Sequence, residues 1–246
     1  MDWQACLDEI HATLGTRDLE RVERAVRAHG EGTPPEIVDK MQRPTVLQIR
    51  GLTAKPWHDR KDFSWVPAFE AATDGVLAEF LALETAREGP IDYMSGYGGG
   101  DDEGGWRAWM LHGDGRYVAE STARCPVTAD LLRQTRISPG DAMFSEFLPG
   151  TIIPLHCGGS NAVLSCHLPL IIPSDCAIRV GTQTRGWQKG HVVMFDDSYL
   201  HLAWNESDKR RVVLVFEVYH PELTDLETRA IDIFYDHTAR GDDAVA

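Results

Sequence analysis

Two histidines stand where strands could bring metal-binding chemistry together. His156 closes the β-branched run in "SEFLPGTIIPLHCGGSN", residues 145–161, and His201 opens another run after "FDDSY", 45 residues further on. Alternate side chains of a strand face one side, so imidazoles on separate strands of a jelly roll can converge in its mouth. Two histidines with open positions beside them make a mononuclear metal site. Ten residues after His201 comes Arg211, at the start of "RRVVLVFEVYH". A buried guanidinium on a barrel strand is costly unless it meets a carboxylate, and its planar fork matches a dicarboxylic acid with two bonds. Its neighbour Arg210 competes for that role but shares a strand face with Val212, Leu214 and Phe216. Singly, each histidine could be a satisfied core or surface residue and each arginine a surface cation. The order His, His, inward Arg is the signal.

Such residues need a β scaffold, and from about Asp141 the pattern becomes β. Short runs "AMFSEFL", "TIIPLH", "AVLSCHLPLII", "CAIRVG", "HVVMFDD", "HLAWN" and "RRVVLVFEVYH" are separated by Gly, Pro, Asp, Asn or Ser. Several short strands with turn signals and no long helices between them predict an antiparallel sandwich or jelly roll. Upstream, Trp3, Leu7, Ile10, Leu14 and then Leu19, Val22, Val26 have helical spacing and predict two amphipathic helices broken near Gly15 and Thr16. "TVLQIRGL" reads as a strand, "VPAFEAATDGVLAEFLALETARE" as one longer helix, and "DLETRAIDIFYDHTARG" as a closing helix. The fold class expected is therefore α+β, a double-stranded β-helix (jelly roll, cupin-like) core with N-terminal and supporting helices. Residues 1–40 would be a helical extension and 41–246 the β-helix domain, with its metal-binding part at about 141–222. "SGYGGGDDEGG" is too rich in glycine and acid for a core element. The loop over 96–105 is either a lid or a plain solvated connection.

Composition narrows the partners. Acidic residues outnumber basic ones, 38 to 24, for a net charge of −14, which repels a phosphate backbone and argues against nucleic acid. No run approaches the roughly 18 apolar residues of a membrane span, and "MDWQACLDEI" lacks the basic flank and apolar core of a signal peptide. The location expected is cytoplasmic, away from membranes. Five scattered cysteines without CxxC spacing argue against a disulfide framework and a thiolate zinc site. A homodimer is one option that the sequence leaves open.

The stretches "PGTIIPLHCG", "SCHLPLIIP", "GWQKGHVVMFDDSYLHLAWN" and "RRVVLVFEVYHPEL" together resemble the aspartyl/asparaginyl β-hydroxylase family of iron(II)- and 2-oxoglutarate-dependent oxygenases. The resemblance covers roughly the last 110 residues and extends more weakly back to "GGWRAWMLHG". It implies a dioxygenase that uses Fe(II), 2-oxoglutarate and molecular oxygen, oxidises an unactivated C–H bond and releases succinate and carbon dioxide. His156 and His201 would hold the iron. Arg211, at the family's offset from the second histidine, would grip the distal carboxylate of 2-oxoglutarate with Ser145, and His167 would touch its other end. Most such oxygenases place a carboxylate two residues after the first histidine, whereas this family, like this chain, has glycine there, Gly158. A water would then complete the shell, and second-shell orientation of the imidazoles would matter more. The vacancy also leaves room for a halide.

The departures narrow the substrate. Where the animal enzymes of the family carry two arginines on the strand before their counterpart of His167, this chain has Val163 and Ser165. Losing two inward cations argues against an acidic residue as target and points to an amino acid, peptide or small metabolite. The cysteine pair that brackets a loop in the animal enzymes is also missing, Ala129 standing at one place. Val163, Ser165 and Trp106 are candidate substrate-pocket residues, although core packing is the other reading of Trp106 and Trp109. Alternatives are a cupin-like module that binds a small acid without catalysis, a halogenating or otherwise non-hydroxylating oxygenase, and a zinc hydrolase. The last would need a third ligand and a base; Asp196 and Asp197 are available, but both read as fixing the turn before His201.

Overall fold

The protein is described by a computed structural model that covers residues 2–85, 90–93 and 105–242, with side chains as far as Ala239. The glycine-rich stretch read as a lid lies, but for Gly105, outside the described residues.

All seven runs predicted after Asp141 are strands. In chain order the strands are β1 (Trp57–His58), β2 (Ile91–Asp92), β3 (Trp106–Gly113), β4 (Arg116–Tyr117), β5 (Ala142–Phe147), β6 (Ile152–His156), β7 (Val163–Ile171), β8 (Cys176–Val180), β9 (Gln183–Arg185), β10 (Val193–Phe195), β11 (His201–Asn205) and β12 (Arg211–Tyr219). From β5 onward the chain alternates between two antiparallel sheets, except that β8 and β9 form a hairpin within the smaller one. One has the order β1-β10-β7-β12-β5-β3-β2, with β4 on β3, and the other β6-β11-β8-β9. That alternation is the double-stranded β-helix, and its inward side chains enclose a cavity between the sheets.

The central strand explains why the larger sheet reads as almost continuously apolar. β12 lies between β5 and β7, so both its faces are covered. Val212, Leu214, Phe216 and Val218 pack outward under α3 (Val66–Ala71), α4 (Thr73–Glu84), α5 (Ala119–Arg124) and α6 (Pro126–Gln134), with Phe69 stacked on Phe216 at 4.7 Å. Arg211, Val213, Val215 and Glu217 take the inward positions. The helices before these, α1 (Trp3–Leu14) and α2 (Glu20–Gly30), are the predicted pair. Asp2 caps the first by accepting from the amides of Gln4 and Ala5, and Gly15 ends it at φ 82°. They bury Leu7, Ile10, Val22 and Val26 with Ile231 and Phe234 of α7 (Asp225–Asp242), the predicted closing helix. Among the described residues no helix is long and apolar enough to cross a membrane.

Two elements differ from expectation. The single helix expected after Trp65 is two, α3 and α4, divided at Ala72. The Thr73 hydroxyl donates to the Glu70 carbonyl at 2.7 Å, a local bond that competes with helix continuation. "TVLQIRGL" forms no ladder: its Leu47 makes one isolated bridge to Ser160. Its backbone is satisfied by a side chain instead. The Asn161 amide accepts from Ile49 N at 2.8 Å and donates to Ile49 O at 2.9 Å, imitating a strand partner. Leu47 and Ile49 still bury fully, so apolar patterning without β pairing misled the sequence reading. Asn161→Ala strands both buried backbone groups and should lower unfolding stability by about 1–3 kcal/mol, measured by denaturant unfolding. An unchanged midpoint would show that the segment is held by its apolar side chains alone.

Candidate active site

His156 and His201 face one another across the smaller sheet. They are paired residues of β6 and β11, and their ring centroids lie 4.0 Å apart. Backbone carbonyls set both tautomers: Nδ1 of His156 donates to Pro154 O, and Nδ1 of His201 to Tyr199 O, each at 2.8 Å. The lone pair is thereby placed on Nε2, the form a metal requires. Burial lowers the proton affinity of both imidazoles, that of His201 to about 4, with His156 as the second cause. Both are therefore neutral at physiological pH.

The opposite wall of the same cavity, about 520 Å³ in volume, comes from the larger sheet. Ser145, Ser165, His167, Arg211 and Trp106 all line it. Arg211 is only 1 % exposed, yet no carboxylate among the described residues pairs with it. Its NH1 lies 3.4 Å from both the carbonyl and the hydroxyl of Ser145, and its Nε is buried without a partner. Phe147 and Trp187 both present ring faces to the guanidinium, whose carbon lies 3.4 and 4.9 Å from their centroids. Burial pulls its pKa down to about 9, so it stays charged. Arg210 is the opposite case, pairing on the outer face with Glu84 and with Glu146 at 3.1 Å. Alternation along β12 thus separates an anchored surface arginine from an unsatisfied buried one.

Ser145 and His167 are held by tryptophans. Trp106 Nε1 donates to Ser145 Oγ at 2.9 Å, and Trp187 Nε1 to His167 Nδ1 at 3.2 Å. His167 therefore carries its proton on Nε2, with its pKa lowered to about 3 by burial and then by Arg211 and His201. Trp109 lies on the other side of the sheet, edge-on to Phe80 in the core. Val163 lies at the far end of β7, where it joins the cluster beneath α7 and lines an adjoining cavity rather than the one that holds the histidines.

The residues fit an iron site with two protein ligands. Among the described residues no group of three His, Cys, Asp or Glu could hold a metal, so two imidazoles would have to be completed by small molecules. An unpaired guanidinium in the same cavity is suited to a dicarboxylate that supplies such ligands.

A family model described as aspartyl/asparaginyl beta-hydroxylase matches residues 70–221. The chain belongs to that family. It is 29 % identical over 240 residues to aspartate beta-hydroxylase domain-containing protein 2 of Xenopus tropicalis, covering 93 % of this chain and 64 % of the relative. To human aspartyl/asparaginyl beta-hydroxylase it is 30 % identical over 198 residues, 76 % of this chain and 26 % of the relative. The chain thus spans less than two thirds of the length of these relatives. A 2OG-Fe(II) oxygenase family oxidoreductase from Burkholderia pseudomallei overlaps 67 % of this chain and 95 % of its own, at TM-score 0.42 and 16 % identity.

For this hydroxylase-family chain, the glycine that follows the first histidine has a cause in the packing. A Cβ on Gly158 would overlap the carboxylate of Asp197, whose backbone carbonyl accepts from Gly158 N at 2.7 Å. The two aspartates read as turn residues therefore divide. Asp196 holds the turn, accepting from Ser198 N at 3.0 Å, from Ser198 Oγ, and from Gln42 Nε2 at 2.8 Å. Asp197 instead lines the cavity, with a buried Oδ1 that has no hydrogen-bond partner, and burial raises its pKa well above the carboxylate range. Two contributors escaped the sequence reading, Trp187 and Glu217, while Asp197 is available there as a ligand or base but reads as a turn residue. Strand alternation from Arg211 could have placed Glu217 inward, whereas Trp187 sits in a loop without periodicity. Gly158→Ala should cost about 1–3 kcal/mol by overpacking against Asp197, and Gly158→Asp more, because it also opposes two carboxyl groups. Thermal melting checks this. The double variant Gly158→Ala/Asp197→Ala should regain most of the loss, and no recovery would place the strain elsewhere.

Proposed function

We propose that the protein is an iron(II)- and 2-oxoglutarate-dependent oxygenase. It would hydroxylate an unactivated C–H bond of an amino acid, peptide or small metabolite and release succinate and carbon dioxide. The observation that carries this reading is Arg211. A buried cation without a counter-ion among the described residues, in one cavity with two histidines whose Nε2 atoms bear lone pairs, is an unfilled half of an ion pair. A dicarboxylate would complete it.

His156 and His201 would hold the iron, and bound iron with 2-oxoglutarate and oxygen would supply the oxidising chemistry. The chain's own residues bind and orient. Arg211 would take the distal carboxylate through its fork, beside Phe147 and Trp187, which keep the guanidinium in plane and shield it from water. Ser145, its hydroxyl held by Trp106, would add one hydrogen bond. His167 would present Nε2–H, the nitrogen its bond from Trp187 leaves protonated, to the cosubstrate's other carboxylate. Asp197 takes the space beside Gly158 that a halide would need, which supports hydroxylation over halogenation.

Two measurements test this. Purified protein with iron(II) and 2-oxoglutarate should form succinate, and His156→Ala or His201→Ala should abolish that while leaving the circular dichroism spectrum intact. Wild-type turnover in both variants would refute the metal assignment. Arg211→Lys should raise the 2-oxoglutarate requirement at least about tenfold, since a point charge replaces a bidentate fork. Equilibrium binding of 2-oxoglutarate to the same variant reads the contact without turnover, and an unchanged affinity would remove Arg211 from the cosubstrate site.

A further inference from the structure

Behind the histidines the cavity continues into a second one of about 380 Å³ between β7, β12 and α7. Asp141, Asp197 and Glu217 line both. Asp114 and Asp236, both exposed, line only the second. Five carboxyl groups thus meet one cavity that no Lys, Arg or His among the described residues lines. Charged groups so placed normally pair with a cation or lose their charge. Among the described residues the donors to these side chains are hydroxyls: Ser138 Oγ donates to Glu217 Oε2 at 3.0 Å, and Tyr93 donates to Asp141. The Asp197 Oδ1 atom is buried and has no partner at all. Gly140 belongs to the same wall, where a Cβ would overlap the Glu217 carboxylate. A side chain there would close the passage.

Strand geometry relates the two ends. Arg211 and Glu217 are inward residues of β12 six positions apart, about 20 Å at the rise of a strand. Glu217 pairs across to Ser165, one of the two positions where an arginine is absent. The cavity is therefore cationic at the Arg211 end and lined by carboxyl groups at the Glu217 end, where burial raises the pKa of Glu217 to about 7 and that of Asp197 well above the carboxylate range, so that an arriving cation would favour their ionised forms.

We propose that the second cavity is a subsite for a cationic group, so that the pocket accepts a small substrate carrying a free ammonium group. The ammonium rests against Glu217 and Asp141, and the carbon chain points back toward His156 and His201. The exposed Asp114 and Asp236 draw the cation inward, as does the net charge of −14. This deepens the oxygenase reading of the same pocket and rests on it for the chemistry, while the binding can be tested alone.

The probes are n-pentylamine and 1-pentanol, equal in chain length and different in charge, titrated into the full-length chain by ligand-observed NMR. The titration is run with and without iron(II) and 2-oxoglutarate under argon. The amine should bind at least about tenfold more tightly than the alcohol, as a charge-assisted hydrogen bond requires. Glu217→Gln and Asp141→Asn should each reduce that preference several-fold, and circular dichroism checks that each is folded. Should Glu217→Gln fail to fold, Asp141→Asn and the wild-type comparison decide. Equal binding of the two probes, amine affinity unchanged in the folded variants, or binding of Mg²⁺ without binding of the amine would each overturn the proposal. Preference for the amine in a protein that forms no succinate would support the subsite and overturn only the oxygenase reading.

Discussion

One uncompensated charge organises this molecule. A guanidinium buried to 1 % exposure costs folding energy, and nothing in the described chain repays it with a carboxylate. What tolerates it is its position. Arg211 begins the central strand of the larger sheet, paired across to Phe147, where two aromatic faces and the carbonyl and hydroxyl of Ser145 supply partial negative charge. The rest of the fold can be read as what is needed to hold that cation still: strands on both sides of β12, and helices over its outer face. Removing a carboxylate from a site is simple; keeping a cation in place without one requires a rigid wall.

The same economy of charge explains the smaller sheet. Both histidines are neutral because they are buried, and both are oriented by carbonyls two residues back in their own chain. Orientation by local backbone needs no additional side chain, so the proposed metal site could be built from only two ligands and remain ordered. The acidic group that many metal sites draw from the first strand is present here on another segment, as Asp197, packed against the glycine that makes room for it. Sequence alone shows the vacancy at Gly158; only packing shows that a carboxylate from elsewhere fills the adjoining space.

That contrast marks what the sequence could say. Short apolar or alternating runs bounded by Gly, Pro and Asp made seven of the eight strands from β5 to β12 legible, all but the short exposed β9. Alternation also separated Arg211 from Arg210. Where the physics was not periodic the reading failed: Asn161 replaces a strand ladder at Ile49, a threonine hydroxyl divides α3 from α4, and Trp187 reaches the site from a loop. Val163 shows the limit of alternation itself. It shares a strand face with Ser165 and His167, but a strand nine residues long outruns the cavity, and its end lies under α7. Facing inward does not decide which chamber is faced.

Two chambers along one strand have a consequence for specificity. An enzyme that must hold a dianionic cosubstrate cannot make its whole pocket positive without letting cosubstrate occupy the place of substrate. On the proposed reading, arginines at both ends of β12 would invite that error, whereas a carboxyl group at the far end, Glu217, would disfavour a second dicarboxylate and leave Arg211 as the anion site. On that reading Ser165 in the histidine cavity and Val163 in the adjoining one would do more than remove contacts for an acidic target. With carboxyl groups at that end, the proposed cosubstrate and substrate would be sorted by opposite charge before shape is consulted.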